Sequence, residues 1–231
     1  MSWQDRTAAL IGNEAVQKLG AASVAVFGLG GVGGYTVEAL ARAGVGRLVL
    51  VDSDKVDETN LNRQILATRA SIGEDKTCAA ARRIFDINPS CKVITHTVFY
   101  SYETAEQISL DGIDYIADCI DSVSSKLLLI KTAREKNIPI ISCMGTGNKL
   151  DPSGLCVSDI SKTSVCPLAR VMRRELKNIG IEHLTVVYSK EMPVNTSLGR
   201  VPASISFVPG AAGLLIAGEI IRNIAGVSAK Y

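Results

Sequence analysis

Over the first 145 residues, short apolar runs alternate with longer stretches in which apolar residues recur at helical spacing. Runs at 24–28, 47–51, 92–99, 114–119 and 138–143 read as strands, and stretches at 33–43, 75–86, 102–110 and 123–136 as helices. Asn88-Pro89 stops the helix over 75–86, because a residue before proline is pushed out of helical backbone. Strands alternating with helices predict an α/β fold with a doubly wound, mostly parallel sheet. After Gly145, Gly147, Pro152 and Gly154 the pattern loosens. There 155–161, 184–190 and 204–208 read as strands, 167–180 as an amphipathic helix and 210–225 as an apolar one. No repeat or low-complexity linker separates the two parts. The expectation is one domain over 1–231, with a nucleotide-binding core at 1–145 and a substrate-side extension of strands and helices at 146–231.

The run VAVFGLGGVGG, Val24 to Gly34, is the most informative stretch. A β-branched strand feeding the spaced glycines Gly28, Gly30 and Gly33, then a helical pattern, lets backbone N–H groups and a helix N-terminus meet phosphate oxygens. Side chains at those positions would hold the phosphates away. Asp52 ends the next apolar run, about 20 residues on, where it can accept hydrogen bonds from a ribose hydroxyl. This fingerprint alone leaves NAD, FAD and ATP open. Arg63 in NLNRQ and Lys76 early in the next helix shift the balance, since a triphosphate needs cationic neutralisation more than a dinucleotide does. Asp121 follows the apolar run over 114–119, at the carboxyl edge of the sheet, where its oxygens suit Mg²⁺. The plainer alternative for Asp121 is a helix N-cap before the run over 123–136.

Composition adds boundaries. With 25 Lys and Arg against 23 Asp and Glu, the charge is near balance and announces neither a strongly basic nucleic-acid binder nor an acidic tail. MSWQDR is no secretion signal, and the stretch over 210–225 carries Glu219 and Arg222 and is short for a membrane span. Six cysteines sit singly on apolar runs or helices, which suits reduced thiols and a cytoplasmic location.

Taken in order, GLGGVGG, the LVD at 50–52, NLNRQ at 60–64, GEDK at 73–76 and CIDS at 119–122 resemble the ubiquitin-activating-enzyme-like adenylyltransferases, which use a Rossmann-like fold. The resemblance implies ATP and Mg²⁺ as cofactors, a homodimer, and a nucleotide site at Gly28, Gly30, Gly31, Gly33, Asp52, Asp54, Asn60, Arg63, Gln64, Lys76 and Asp121. Within that site Arg63, Lys76 and Asp121 are the expected catalytic groups and Asp121 the metal ligand. Arg6, in DRTAAL, matches an arginine lent across the dimer interface to the neighbour's ATP; a solvated N-terminal charge is the alternative.

The tail decides among the branches. Sulfur-carrier activators of this superfamily carry two CxxC pairs for structural zinc, whereas the closest cysteines here, Cys156 and Cys166, are ten apart, so no zinc is expected. DISKT (159–163), PLARVMRREL (167–176), VVYSKE (186–191) and SISFVPGAAGLLIAGEII (204–221) instead resemble the tRNA threonylcarbamoyladenosine dehydratases. That resemblance implies a tRNA substrate, whose threonylcarbamoyl carboxylate is adenylated and then cyclised with loss of AMP. It does not select whether a sulfurtransferase-type partner assists. One departure is Cys166, which stands where an acidic residue is expected before Pro-Leu-Ala. A thiol at a helix N-terminus could accept an acyl group, but intramolecular cyclisation needs no acyl-enzyme, and a small loop-filling residue is the plainer reading. Arg170, Arg173, Arg174 and Lys177 fall on one side of the helix over 167–180, either as contacts to tRNA phosphates or as a solvated face. Three alternatives stand beside the dehydratase: a sulfur-carrier adenylyltransferase, a nicotinamide oxidoreductase, and a nucleotide-sensing scaffold without turnover.

Overall fold

The computed structural model describes residues 2–195 and 202–228. Seven strands form one sheet: β1 (Ser23–Phe27), β2 (Arg47–Val51), β3 (Lys92–His96), β4 (Tyr115–Asp118), β5 (Ile140–Cys143), β6 (Leu155–Asp159) and β7 (Thr185–Ser189). Their spatial order is β3-β2-β1-β4-β5-β7-β6, parallel throughout except for β6 against β7. The two tail strands therefore continue the same sheet. Helices cover both faces: α1 (Asp5–Ile11), α2 (Asn13–Ala21), α3 (Gly33–Ala43), α4 (Lys76–Ile87), α5 (Val123–Glu135), α6 (Pro167–Asn178) and α7 (Val208–Ala225). One apolar cluster joins the sheet to α2, α3, α4 and α7, the other to α5 and α6. Because both faces are covered, β1 and β4 are buried at every position, as near-continuous apolar runs require.

Strand order reverses between β1 and β4, the switch point at which open α/β sheets leave a crevice. Phe27 pairs with both Val51 and Asp118, so β1, β2 and β4 end level with one another. Their next residues, Gly28, Asp52 and Cys119, consequently open side by side on one edge.

Two expected elements do not form. The stretch 102–110 is turns with a single 3₁₀ segment over Ala105–Gln107. Its start is diverted by side chains: the Thr104 hydroxyl donates to the Phe99 carbonyl (2.5 Å) and accepts from the Ser101 N–H (3.0 Å), local bonds that compete with a helix. Nor is 204–208 a strand. The N–H of Ala203 donates to Asn148 Oδ1 (2.7 Å) and the carbonyl of Ser204 accepts from Asn62 (3.2 Å), so side chains take the groups a ladder would use. Phe207 instead caps α7 with Pro209 in its first turn. At the other end, α1 and α2 were not anticipated, and Gly12, at φ 89°, breaks one from the other.

The final helix is longer than expected. By length and composition α7 could cross a membrane. Here it serves as a core helix, with nine residues buried. The Thr36 hydroxyl of α3 donates to the Gly213 carbonyl (3.2 Å), and any side chain at Gly213 would be driven into the carbonyl of Val32. Small residues are needed there so that two backbones can touch.

Candidate functional site

The glycine loop is shaped by close approach of backbone. Gly28 has φ 85°, a left-handed conformation, and a Cβ on it would lie 2.7 Å from the Cys119 carbonyl oxygen. A Cβ on Gly33 would collide with the carbonyl of Gly28. Gly31 is pressed between Pro209 and the Arg63 stem, at 3.1 and 3.3 Å from where its Cβ would stand. Gly30 differs, because a Cβ there meets nothing nearer than Gln64 Nε2 at 3.9 Å. The protein leaves that space open, and the first turn of α3, which has no side-chain cap, adds the positive end of a helix.

Asp52 ties this loop to β2. Its Oδ2 accepts the Leu29 N–H (2.5 Å) and its Oδ1 the Asp54 N–H (2.8 Å), and each oxygen keeps a further lone pair for a hydroxyl. Burial raises the Asp52 carboxyl above its ordinary range, opposed by the charge of Lys76 and by the two N–H groups. Lys76 is itself buried and reaches out to exposed Asp54, Nζ to Oδ2 2.8 Å.

The NLNRQ segment forms the opposite wall. Asn60 is buried and closes a 3₁₀ turn by accepting the Asp57 N–H (3.2 Å). Arg63 donates to the Thr59 carbonyl (3.0 Å) and Asn62 Oδ1 (2.9 Å) through one nitrogen, leaving other donors of its guanidinium for a phosphate. Gln64 is buried, and its Oε1 has no hydrogen-bond partner among the described residues. The Gln64 atom nearest the open space over Gly30 is Nε2, an amide donor that suits a polar ligand there. The residues fit a nucleotide triphosphate.

Asp121 is exposed at the end of the β4 loop and makes no hydrogen bond or ion pair among the described residues; Ser122, not Asp121, is the N-cap of α5. No cluster of three or more potential metal-ligating side chains occurs among the described residues. A divalent ion at Asp121 would therefore draw the rest of its oxygen shell from phosphates and water. All the expected nucleotide residues thus gather at one sheet edge except Arg6. That residue lies on exposed α1, two positions after Gln4, whose amide packs at Gly44 on the far end of α3. The 11 residues of α3 span roughly 16 Å at about 1.5 Å each, so Arg6 lies far from its own chain's glycine loop.

A groove of about 830 Å³ opens on the opposite edge between Tyr115, Ile140 and Leu184 and includes none of these groups.

In the tail, Asn148 exchanges hydrogen bonds with Ala203 (2.7 and 2.8 Å), and Asn62 binds the Ser204 carbonyl and hydroxyl (3.2 and 3.1 Å). The loop that carries Arg63 is thereby laced to the loop after β5. Glu191 accepts the N–H groups of Leu150 and Asp151 (2.9 Å each), and buried Lys149 donates to the Glu191 carbonyl (2.5 Å). On α6, Arg170, Arg174 and Lys177 are exposed, but Arg173 turns inward to the carbonyl and hydroxyl of Thr163 (2.9 and 2.7 Å), so three cations rather than four face out. Cys166 is 2% exposed in the α5–α6 core, its sulfur 3.6 Å from where a Gly145 Cβ would be, which is the loop-filling role rather than that of an accessible nucleophile. Sequence reasoning passed over Asp118 and Lys126, which pair in the interior. The signal was there: an acid inside one apolar run and a base at the head of another.

The model of the ThiF family matches residues 4–231. The chain belongs to the ThiF family. It is 41% identical over 231 residues to the tRNA threonylcarbamoyladenosine dehydratase of Bacillus subtilis, covering 93% of this chain and 91% of that one. With the enzyme of the same name from Escherichia coli it shares 41% over 180 residues, 77% of this chain and 67% of the other. The crystal structure of E. coli tRNA N6-threonylcarbamoyladenosine dehydratase, TcdA, in complex with AMP superposes with a TM-score of 0.90 at 34% identity, covering 97% of this chain and 95% of that one. The same enzyme has also been crystallised in complex with ATP. This ThiF-family chain thus shares its whole architecture, tail included, with a nucleotide-binding tRNA-modifying enzyme.

Proposed function

We propose that this chain is an ATP-dependent tRNA threonylcarbamoyladenosine dehydratase. The observation that carries the reading is that similarity to such enzymes runs through the tail as well as the nucleotide edge. A carboxylate is a poor acyl donor until one oxygen becomes part of a phosphate leaving group. Its attack on the α-phosphorus of ATP releases pyrophosphate, and ring closure within the threonylcarbamoyl group then expels AMP, so the nucleoside loses one water overall.

In this reading the glycine loop and the α3 N-terminus hold phosphate oxygens, Asp52 the ribose, and Gln64 a polar group over Gly30. Arg63 and Lys76 stabilise charge that develops on the transferred phosphate. Lys76 would exchange part of its contact with exposed Asp54 for phosphate oxygen. Asp121 would hold Mg²⁺, which neutralises triphosphate charge when bound. The exposed cations of α6 would track tRNA phosphates. The functional unit is a cytoplasmic homodimer in which Arg6 serves the partner's nucleotide. Supporting this are its distance from the glycine loop of its own chain and the helix that bears it, which has no buried residue and leaves Leu10 85% exposed.

The test is nucleoside mass spectrometry on tRNA bearing threonylcarbamoyladenosine, incubated with the protein, Mg²⁺ and ATP. A product lighter by one water, absent without ATP, is expected. An unchanged nucleoside from folded, ATP-binding protein would overturn the reading and favour a carrier-protein substrate. Asp121→Ala is expected to abolish ATP turnover, and full activity in that variant would remove the metal assignment.

A further inference from the structure

The β4 loop holds two aspartates, and only one belongs to the site above. Asp118, the last residue of β4, and Lys126, in the first turns of α5, are both completely buried and paired, Oδ2 to Nζ 2.9 Å. The Ser142 hydroxyl of β5, also fully buried, donates to the same oxygen at 2.5 Å, and the Ile120 N–H donates to Oδ1 at 3.2 Å. Both carboxylate oxygens are thus engaged, and Asp118 is no candidate for a metal.

A buried ion pair returns little net stability, because desolvation of two charges offsets their attraction. After Lys126 the chain is apolar, with Leu128, Leu129 and Ile130 buried, so packing alone would be served by leucine there. What the pair does achieve is geometric. Asp118 Oδ1 holds Ile120, immediately before Asp121, by its N–H, while the Lys126 side chain ties to Asp118 the first turn of α5, whose N-cap is Ser122, immediately after. Asp121 hangs between a backbone point held by Asp118 and a helix start that the Lys126 ammonium pins to the same carboxylate, and Ser142 locks that assembly to β5.

We propose that Asp118, Lys126 and Ser142 form a positioning group that aims Asp121 at the metal–triphosphate. Lys126 also cancels the charge of Asp118, leaving Asp121 as the uncompensated carboxylate of the loop. The inference rests on the assignment of Asp121 as metal ligand.

Calorimetric titration of the full chain with ATP, in Mg²⁺ and in EDTA, tests it without tRNA. The variants are Asp121→Ala, Lys126→Met, Ser142→Ala and the double variant Asp121→Ala/Lys126→Met. Lys126→Met should leave metal-free ATP binding near the wild-type value and lower the Mg²⁺-dependent gain about ten- to hundredfold, the usual effect of losing the partner that orients a ligand. Ser142→Ala, which deletes one hydroxyl and serves should Lys126→Met fail to fold, should lower the same gain several-fold. With Asp121 already removed, Lys126→Met should add nothing. Equal losses with and without metal, additive losses in the double variant, or a wild-type gain in Ser142→Ala would each overturn the positioning role. An undiminished Mg²⁺ gain in Asp121→Ala would overturn the metal assignment, and the proposal with it.

Discussion

At the glycine loop, geometry is set by backbone against backbone: a Cβ on Gly28 would stand 2.7 Å from the Cys119 carbonyl, and Gly33 has no room for one at all. In the tail the fastenings are side chains against backbone, Asn148 to Ala203, Asn62 to Ser204, Glu191 to Leu150 and Asp151. The first kind of site is rigid before a ligand arrives, as binding of a common triphosphate requires. The second can be rebuilt residue by residue. If that division is right, substitutions at the loop act on ATP whatever the substrate, and substitutions on the tail's outer face act on tRNA while sparing ATP.

The largest effect is expected at Gly33. A methyl there meets the Gly28 carbonyl and, at 3.3 Å, Cys119 Cβ, and backbone cannot step aside as a flexible side chain can. Gly33→Ala should cost about 3 kcal/mol or more, roughly 10 °C in Tm, and remove ATP binding in whatever remains folded. A thermal melt and a nucleotide titration check it. A variant with wild-type stability would show that the loop is not rigid, and the contrast with the tail would fail.

Next in size is the outer face of α6. Replacing Arg170, Arg174 and Lys177 together by alanine should leave ATP affinity unchanged. The slope of log tRNA affinity against log salt should fall by about 2 to 3, near one for each phosphate that these cations neutralise. Arg173→Ala belongs to a different class, since it unties Thr163 and should lower Tm rather than the slope. Fluorescence anisotropy at several salt concentrations measures the slope. An unchanged slope would return the three cations to a solvated face, and a loss of ATP affinity would join the two regions that the comparison separates.

The same division explains what could be read in the chain. Strand runs such as 47–51 and the spaced glycines are legible because each residue's requirement is local: burial on both faces, or no room for a Cβ. The gathering of Asp52, Arg63, Lys76 and Asp121 at one edge followed from where apolar runs end. The misread segments are those settled by distant partners. Ser204 to Val208 carries a strand's composition, yet Asn62 and Asn148, more than fifty positions away, take its neighbouring backbone groups. Tyr102 to Leu110 buries Ile108 and Leu110, two positions apart as on one side of an extended chain rather than one face of a helix, and the Thr104 hydroxyl redirects its start. Arg173 shares its helix spacing with three solvated cations, and only the position of Thr163 distinguishes it. Asp118 and Lys126 left a local trace, a charge inside an apolar run, whose meaning depends on pairing across the interior.

The smallest expected effect lies at Asp52, where binding and stability oppose one another. Burial holds its carboxyl above the ordinary value of 3.8, with Lys76 and two N–H groups pulling the other way. A folded value above the unfolded one means that the folded state binds the proton more tightly. Its stability advantage is therefore complete below 3.8 and is lost as pH rises through the folded value. Asp52→Asn removes this titration. It also leaves one of the two N–H donors without an acceptor, a constant penalty at every pH. The informative quantity is therefore the trend: the Tm of Asp52→Asn minus that of wild type should grow more favourable from about pH 4 toward about pH 7 in the absence of nucleotide. ATP affinity should drop about tenfold, the scale of one hydrogen bond to a charged group. A difference in Tm that stays flat with pH would mean that Lys76 and the two N–H groups offset the burial of Asp52 in full.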